Sequence, residues 1–433
     1  TQFGFSDVGP AFRLISSTTW DYDHADMKEL NQKIYGNDLA EKFDRYYKKS
    51  IEEDWFPDYS KNGWKMGFFA GNNGANWRAT GSTWRKTAFE ELETIVSLAP
   101  DMGVTSLYSD YVLPIAHHYE RNDLMLQSRV PYLQVLNEAV PPLGEAVDDW
   151  EANRRLAEAI SRRAKERNIK PIQDAVDGRT VRRDYTKTLE LYTMGGRVNN
   201  SKDVAQFIIN ASHGIPKISF EELSQKGIVK VEGVENTMWE KDESPYHNEI
   251  VKSVKKKLPY ETFTGRQQFY IDHEWFIEFG ETLPTFKEPL KIDEFPLRMM
   301  MGHARHGIHS TWRDDSFLLS LQRGEPDIYV NPDDAINRGV QDGDMIRVYN
   351  TAGEFFAMAH VSSGIQPGML FMYHGWDPKM FKGGKNFSEV IPTGGLIKPT
   401  SMAGDYGHLG YQPLAFAPNQ TYKDFTCDFE KSA

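Results

Sequence analysis

The chain contains one cysteine, Cys427, among its 433 residues. A single thiol cannot form an intrachain disulfide, hold a cysteine-ligated iron–sulfur cluster or build an all-cysteine zinc site. The length suggests two or three domains and is ample for a sizeable core. With 39% hydrophobic and 13% aromatic residues, the composition is that of a globular protein and not of a disordered one.

Charge and hydropathy exclude two further classes of protein. The 50 Lys and Arg residues against 62 Asp and Glu give a net charge of −12, which argues against a protein that binds nucleic acid through its phosphates. No stretch approaches ~18 uninterrupted apolar residues, so we predict no transmembrane helix. The sequence begins at Thr1 without Met, signal peptide or basic leader, and we therefore expect a processed chain or a piece of a longer polypeptide.

Short apolar runs that end in small polar residues indicate an α/β sheet in the first half of the chain. Residues 65–70 stop at Gly71-Asn72-Asn73-Gly74, residues 94–98 lead into 101–105, and a third run covers 111–114. Strands that alternate with helices and end in this way are typical of a doubly wound sheet. A helix is predicted over 148–168, and we attribute its basic C-terminal turns to compensation of the helix dipole.

The pattern is mostly β from residue 259 onward. A small helix begins at Asn331 and ends at Gly339, and tight turns separate the apolar segments 345–349, 355–361 and 369–373. Short strands, tight turns and one small helix favour a compact barrel over a sandwich. Residues 228–258 are polar and charge-alternating, and we interpret them as a surface connector. The predicted organisation is therefore 1–64, 65–258 and 259–433, the first segment continuing an upstream domain.

Three histidines spaced three residues apart, His303, His306 and His309, form the motif richest in possible chemistry. In an extended segment His303 and His309 point to one side while His306 points to the other. Two imidazoles beside Ser310 and Thr311 suit hydrogen bonding to a polar heterocycle or phosphate better than chelation of one ion. Histidines with a purely structural role are the competing interpretation.

The remaining motifs are weaker. The Gly71–Gly74 turn could cradle a phosphate, but it is not the dinucleotide fingerprint. The His117-His118-Tyr119-Glu120 segment is better explained as a surface loop than as a metal site. The glycines of residues 398–411 allow a ligand to approach the backbone closely. No nucleophile with a base and no carboxylate pair stands out, so we name no catalytic residue and no metal ligand.

Several segments together resemble one family, the DMSO reductase class of molybdenum enzymes that carry bis-molybdopterin guanine dinucleotide (bis-MGD). The resemblance is to the C-terminal half of the catalytic subunit in the type II branch, which includes nitrate reductase, ethylbenzene dehydrogenase, and perchlorate and selenate reductases. The matching segments are Thr105–Pro114 with Tyr119-Glu120, Gly307–Thr311, Asn331–Gly343, Met372-Tyr373-His374, and Lys398–Leu409. Their joint occurrence in this order is specific, although no single one is.

The resemblance implies a fold and a set of cofactor contacts. It implies an α/β doubly wound sheet portion followed by a C-terminal double-psi β-barrel. In the α/β portion, the residues expected to meet one guanine dinucleotide arm are Asn72, Asn73, Asp101, Thr105, Ser109 and Asp110. In the barrel, His303 and His309 match a histidine pair that contacts the pterins. Further candidate contacts there are Ser310, Thr311, His374, Asn386, Lys398 and Thr400.

The resemblance also implies what this chain lacks. In the type II branch, the iron–sulfur cysteines and the Asp ligand of molybdenum lie upstream of the matching region. We therefore expect a fragment or half of a split subunit that is inactive alone and is completed by the remainder of the catalytic subunit. Members of this branch work with an iron–sulfur beta subunit and often a haem b gamma subunit, on the periplasmic side of the membrane.

The substrate is the least constrained expectation. Residues 264–270 and 373–378 resemble the ethylbenzene dehydrogenase group more than nitrate reductase, which favours hydroxylation of a hydrocarbon with oxygen from water. The alternative is an oxoanion reductase, acting on perchlorate, chlorate, selenate or nitrate, or a nitrite oxidoreductase. An alternative of another class is a non-catalytic binding or assembly module.

Overall fold

A computed structural model describes most of the chain. The longer described ranges are 36–52, 65–77, 89–126, 132–176, 179–212, 214–231, 256–260, 295–305, 309–322, 324–391 and 425–432. Short described pieces are 29, 32, 85–86, 265–266, 269–270, 277, 282–283, 285 and 307. Chain contacts divide the molecule into two units. Unit 1 comprises Thr1–Arg13, Leu98–Asp101 and Val112–Gln267, and unit 2 comprises Leu14–Ser97, Met102–Tyr111 and Gln268–Ala433. The domain boundaries stay a prediction.

Helices and strands alternate in the first half, and strands dominate the second. The α-helices are α1 (Asn37–Glu52), α2 (Gly74–Trp77), α3 (Val104–Leu107), α4 (Asp149–Glu166), α5 (Thr188–Tyr192), α6 (Ser201–Ala211), α7 (Phe220–Lys226), α8 (Ser316–Gln322) and α9 (Pro332–Asn337). Short 3-10 helices cover His118–Glu120, Tyr185–Lys187, Pro378–Met380, Lys382–Gly384 and Phe387–Val390.

The strands form a sheet of three in the first part, two small sheets in unit 1, and a barrel. The first eight are β1 (Met66–Ala70), β2 (Thr94–Ala99), β3 (Tyr111–Pro114), β4 (Asp123–Leu126), β5 (Tyr132–Leu136), β6 (Ile172–Val176), β7 (Arg179–Arg183) and β8 (Ile228–Lys230). The last six are β9 (Leu297–Gly302), β10 (Asp327–Val330), β11 (Met345–Tyr349), β12 (Glu354–Val361), β13 (Met369–Tyr373) and β14 (Phe425–Lys431).

The first sheet has the order β1-β2-β3, and each of its first two strands is followed by a short helix. Phe69 and Leu92 pack against buried Phe89, Ile95 and Val104. The α/β character predicted for this part of the chain is confirmed. Asn73 and Thr105 lie at the starts of the two helical turns, so the sheet places the polar residues that follow its strands side by side.

Unit 1 is organised around a second sheet, of order β4-β5-β8. Leu133 and Leu223, from β5 and α7, are fully buried in its core together with Ile209 of α6. The long helix α4 begins where the sequence predicted a helix, because the Asp148 carboxylate accepts from the Glu151 amide at 2.8 Å and caps the first turn. The predicted surface connector is wrong at its first residues, since Ile228–Lys230 pairs with β5 as strand β8.

The six strands of the C-terminal part close into a barrel in the order β10-β12-β11-β14-β9-β13. Two neighbouring pairs, β10 with β12 and β9 with β13, are parallel, and the other pairings are antiparallel. The predicted C-terminal double-psi β-barrel is confirmed. Buried residues alternate with less buried ones along β11 and β13 and along most of β12 and β14, because alternate side chains of a strand point into the barrel.

Local sequence explains the turns that connect the barrel strands. Asn331 accepts from the Asp333 amide and Pro332 occupies the first helical position, so α9 begins where the sequence predicted. Gly343 has a φ of 82° in the turn before β11, a conformation that glycine adopts without steric cost. The Asn350 side chain accepts from the Ala352 amide at 2.9 Å and closes the turn between β11 and β12. Over the described part of the chain, no helix combines the length and apolar character needed to cross a membrane.

Candidate functional site

Two histidines follow neighbouring parallel strands of the barrel. His303 comes directly after β9 and His374 directly after β13, and these strands stay paired up to Gly302 and Tyr373. The His374 amide donates to the Gly302 carbonyl oxygen at 3.0 Å, so the segments that follow the two strands stay adjacent beyond the strand ends. The two imidazole centroids lie 4.4 Å apart, edge to face. The parallel pairing therefore places two imidazoles at one end of the barrel.

A third imidazole, that of His309, reaches the same place from a turn. Its centroid lies 5.0 Å from that of His303 and 5.4 Å from that of His374, and the planes of the latter pair are only 10° apart. The predicted extended segment is wrong, because the described residues after His303 form turns and His309 has a φ of 51°. A left-handed residue, and not the alternation of strand faces, brings His303 and His309 together.

His303, His309 and His374 form the histidine cluster. Their possible ligand atoms all lie within 4.8 Å of one another. Neutral imidazoles bind transition metals. Zinc in tetrahedral coordination, for example, requires ligand nitrogens roughly 3.4 Å apart. The same rings can both donate to and accept from a polar heterocycle. The cluster alone fits either ligand.

Asn73 joins the first sheet to the loop that carries the cluster. Its side-chain oxygen accepts from the Thr105 amide at 3.0 Å and from the Thr105 hydroxyl at 3.3 Å. Its amide nitrogen donates to the Ser310 hydroxyl at 3.3 Å. Three predicted site residues, separated by up to 237 positions in the chain, are therefore brought into direct contact. The Ser310 hydroxyl, on the residue after His309, is therefore hydrogen-bonded to the Asn73 carboxamide.

Ser109 and Asp110 use their side chains to hold the local fold. The Asp110 carboxylate accepts from the Ile95 amide at 2.7 Å, and the Ser109 hydroxyl donates to the Thr105 carbonyl at 2.8 Å. Their predicted contact with a nucleotide arm stays a prediction. Two other predicted contacts, Asn72 and Asp101, follow β1 and β2 and are exposed.

The remaining predicted cofactor contacts in the barrel differ in their exposure, and two of them lie outside the described residues. Thr311 is exposed beside Ser310. Asn386 is fully buried, and its side chain donates to Asn76 at 2.6 Å while accepting from the Ser388 amide at 3.1 Å. Its hydrogen bonds therefore organise the loop, and its predicted cofactor contact stays a prediction. Lys398 and Thr400 lie outside the described residues.

A buried polar network next to the cluster was not predicted from the sequence. Arg313 and Asp377 form an ion pair in which the two side chains are 3% and 0% exposed. Asn76, at the end of the turn begun by Asn73, donates to the same Asp377 carboxylate at 3.1 Å. Burial raises the pKa of the Asp377 carboxyl above its ordinary value, and Arg313 and then Lys379 act in the opposite direction. The residues beside Asp377 form no recognisable motif in the sequence, and its role in the network is visible only from its contacts with Arg313 and Asn76.

Comparison with known families identifies the class to which this site belongs. Residues 297–405, which contain the histidine cluster and most of the barrel, match the family described as "Molydopterin dinucleotide binding domain". Residues 36–159, which contain Asn73 and Thr105, match the family "Molybdopterin oxidoreductase". The barrel is therefore of the class that binds a molybdopterin dinucleotide. Both matched segments are therefore similar to molybdopterin enzymes, as the resemblance to the DMSO reductase class predicted.

Curated relatives align over nearly the whole of this chain but only about half of their own length. The respiratory nitrate reductase subunit alpha of Haloferax mediterranei is 32% identical over 97% of this chain and 44% of its own. The dimethylsulfide dehydrogenase subunit alpha of Rhodovulum sulfidophilum is 30% identical over 99% and 48%, and the perchlorate reductase subunit alpha of Dechloromonas aromatica is 31% identical over 98% and 45%. The chain therefore spans about half the length of these curated relatives.

A solved structure shares the fold. Acetylene hydratase from Pelobacter acetylenicus superposes with a TM-score of 0.57 over 96% of this chain and 51% of that one, at 16% identity. At this identity the similarity supports the fold alone.

The donor set of the site fits the dinucleotide cofactor of the family, bis-MGD. The edge of a pterin presents both donors and acceptors. The imidazoles of the cluster, the Ser310 hydroxyl and the Asn73 carboxamide are side chains that can hydrogen-bond to such an edge. Among the described residues, the group able to hold a metal consists of imidazoles only. The hydroxyl and carboxamide beside it extend the row of partners beyond what one ion requires. The arrangement therefore matches an extended polar ligand better than a single cation.

Proposed function

We propose that this chain is the cofactor-binding C-terminal portion of the catalytic subunit of a molybdenum oxidoreductase that reduces a small oxoanion. The observation that carries the proposal is the hydrogen bond from Asn73 to Ser310, beside the histidine cluster. It joins the two parts of the chain that match the two molybdopterin families. One continuous row of polar groups then serves one ligand.

In this proposal the protein supplies binding and orientation. When bound, the molybdenum centre of bis-MGD supplies oxygen-atom transfer and the accompanying two-electron change. His303, His309 and His374 would hold the pterin edges by hydrogen bonds, and the Ser310 hydroxyl, fixed by Asn73, would extend that contact. Rigid partners of this kind keep the reacting centre in one place and require no reorganisation during the reaction.

The relatives favour an oxoanion substrate. Two of the three named above are reductases of nitrate and perchlorate, and a chlorate reductase subunit alpha from Ideonella dechloratans is also 33% identical over 79% of this chain. The third is named for dimethylsulfide, and none of these four is named for a hydrocarbon. Hydrocarbon hydroxylation, which the sequence resemblance favoured, therefore has weaker support than oxoanion reduction.

The proposal includes partners. The relatives are named as alpha subunits, which indicates a catalytic subunit that works within an assembly. The only cysteine, Cys427, is buried in the barrel, so electrons would travel through iron–sulfur clusters held by the rest of the subunit and by a beta subunit. A haem b gamma subunit and a periplasmic location complete the proposal.

The direct test is analysis of the purified native complex that contains this chain. We expect molybdenum, guanine nucleotide and iron, and reduction of chlorate, perchlorate or nitrate with reduced viologen as electron donor. A complex that contains neither molybdenum nor guanine nucleotide would overturn the proposal and favour a non-catalytic assembly module. A complex that holds the cofactor but oxidises ethylbenzene and leaves oxoanions intact would restore the hydrocarbon alternative.

A variant of the histidine cluster tests the site itself. We expect His303→Ala to lower the cofactor content of the purified complex roughly three- to tenfold, because one hydrogen bond to the ligand is lost. Guanine nucleotide released by acid hydrolysis, measured per protein, gives the result. The matched control is His360→Gln, which alters a histidine on β12 that packs on Tyr329 away from the cluster. Equal losses in both variants would contradict the assignment.

A further inference from the structure

The Arg313–Asp377 ion pair is almost fully buried. The Arg313 Nε donates to Asp377 Oδ2 at 2.5 Å, and both side chains are almost fully withdrawn from water. Removing two charges from water costs several kcal/mol per ion, which the attraction repays only when geometry and additional hydrogen bonds are good. Both ions here have such additional bonds, and those bonds lead to the cofactor site.

The bond from Arg313 leads to the turn that carries His309. The Arg313 Nη1 donates to the Ser310 carbonyl oxygen at 2.7 Å. This turn contains two left-handed residues that are not glycine, His309 at a φ of 51° and Trp312 at 62°. Such conformations are stable only when surrounding contacts hold them. The guanidinium is one of these contacts and acts directly on the residue next to His309.

The segment that carries Asp377 also carries His374. Gly375, between them, approaches the His309 backbone so closely that an added Cβ would lie 2.1 Å from the His309 carbonyl oxygen. Residues 374–377 therefore provide one imidazole of the cluster and hold the turn that provides another. Because residues 374–377 both carry His374 and contact the His309 turn, the His309 and His374 rings are held nearly parallel.

The other carboxylate oxygen ties the pair to the α/β part of unit 2. Asp377 Oδ1 accepts from Asn76 Nδ2 at 3.1 Å, and Asn76 lies on the helical turn α2 that follows Asn73. Asn73 in turn donates to the Ser310 hydroxyl. Ser310 is thus held at its carbonyl by Arg313 and at its hydroxyl by Asn73. Asp377 binds Arg313 directly and is linked to Asn73 through Asn76, whose backbone amide donates to the Asn73 carbonyl oxygen at 2.9 Å.

We propose that Asp377 is a positioning residue for the pterin dinucleotide site, holding Arg313 and Asn76 so that His309, Ser310 and His374 present their polar atoms in one fixed arrangement. The inference rests on the proposed function, since it assigns a role toward the same cofactor. It adds a buried carboxylate that does not touch the ligand and acts only through Arg313 and Asn76. The charge of Asp377 is needed because an amide cannot compensate the buried guanidinium.

The test measures retention of the cofactor in the purified holoenzyme complex. The variant Asp377→Asn keeps the shape of the side chain and removes its charge. We expect guanine nucleotide to be released about tenfold faster than from the native complex, the usual effect of removing a group that orients ligand-binding side chains. The released nucleotide is followed by chromatography over time, independently of turnover.

The Arg85–Glu389 pair provides a matched control in the same unit. It is also buried, at 10% and 6% exposure, with a separation of 3.1 Å, and Arg85 reaches the Ala75 carbonyl and not the His309 turn. We expect Glu389→Gln to lower the melting temperature as Asp377→Asn does, without faster release of the nucleotide. Equal acceleration in both variants would reduce Asp377 to a structural role and overturn the proposal.

A second variant keeps the proposal testable if Asp377→Asn does not fold. Arg313→Lys retains the charge that pairs with Asp377, but an ammonium cannot bond the carboxylate and the Ser310 carbonyl with the fork of a guanidinium. We expect faster release here too, and retention equal to the native complex would overturn the proposal. If the native complex itself contains no guanine nucleotide, the proposed function has failed, whereas a nucleotide retained equally by native and variant complexes refutes only the role of Asp377.

Discussion

Gly375 lies very close to the backbone of the turn that carries His309. An added Cβ would lie 2.1 Å from the His309 carbonyl oxygen, and the φ of 101° is itself unfavourable for any other residue. We expect Gly375→Ala to displace the His309 turn and to lower the free energy of unfolding by about 3 kcal/mol. Urea unfolding followed by circular dichroism measures the loss.

Gly383 separates the two causes of this loss. It has a φ of 79°, but an added Cβ would meet nothing within 4 Å. The variant Gly383→Ala therefore carries only the conformational cost, about 1 kcal/mol. If Gly375→Ala costs no more than Gly383→Ala, the close packing against His309 is not a feature of the protein in solution.

At this scale the sequence pointed to polar residues that the structure places close together, but not to the buried residues beneath them. Asn73, Ser310 and His309 were proposed from motifs and family resemblance, and the structure brings all three together. Asn76 and Asp377 were missed because their hydrogen bond spans 301 positions. In the sequence each looks like an ordinary loop residue, and only the folded chain shows that both are buried.

Helix α4 contains an acidic residue that should control part of the acid stability of unit 1. Arg154, followed by Arg155, lowers the pKa of the Glu151 carboxyl from 4.5 to about 2. Between these two values the unfolded chain binds more protons than the folded one, so the free energy of unfolding falls as the pH falls from about 4.5 to about 2. Above pH 4.5 the contribution is fully present.

The variant Glu151→Gln should remove this contribution. We expect it to lower the free energy of unfolding by about 1 kcal/mol at neutral pH, the scale of two partly exposed helix pairs, and to flatten its decline at acid pH. Urea unfolding of both proteins from pH 7 to pH 2.5 tests this. In the control, Glu158→Gln, a carboxylate that is 56% exposed and pairs with Arg154 is removed, and the acid decline should persist. Parallel curves for the native protein and Glu151→Gln would contradict the assignment.

Elements with local signals were predictable, and elements defined by distant partners were not. The helices that begin at Asp148 and Asn331 lie where the sequence placed them, because a capping side chain bonds an amide only two or three residues away. Strand β8 was taken for a connector because its three residues acquire their role from pairing with β5. Hydrophobic alternation marks β11 and β12 clearly, but β6 and the arginine-rich β7 carry no such pattern.

At the scale of the whole barrel, the sequence predicted closure but not the order of the strands. Short strands and tight turns indicate a barrel. They do not indicate that β14 lies between β9 and β11, as the structure shows. In this arrangement the last described strand pairs with the first strand of the barrel, and Cys427 faces Leu297 in register. Such pairing depends on contacts between residues far apart in the chain, for which a local pattern contains no information.

Closure of the barrel around β14 predicts the reactivity of Cys427. Its side chain is fully buried, and burial raises the pKa of the thiol well above its usual range. While the barrel is intact, a reagent therefore cannot reach the sulfur, and the reactive thiolate does not form. Because β14 is hydrogen-bonded along both edges, exposure requires the barrel to open cooperatively. We therefore expect no maleimide labelling of the native protein and labelling that follows barrel unfolding as urea increases, with the Cys427 peptide quantified by mass spectrometry. Labelling well below the urea concentration at which circular dichroism changes would show that β14 detaches alone.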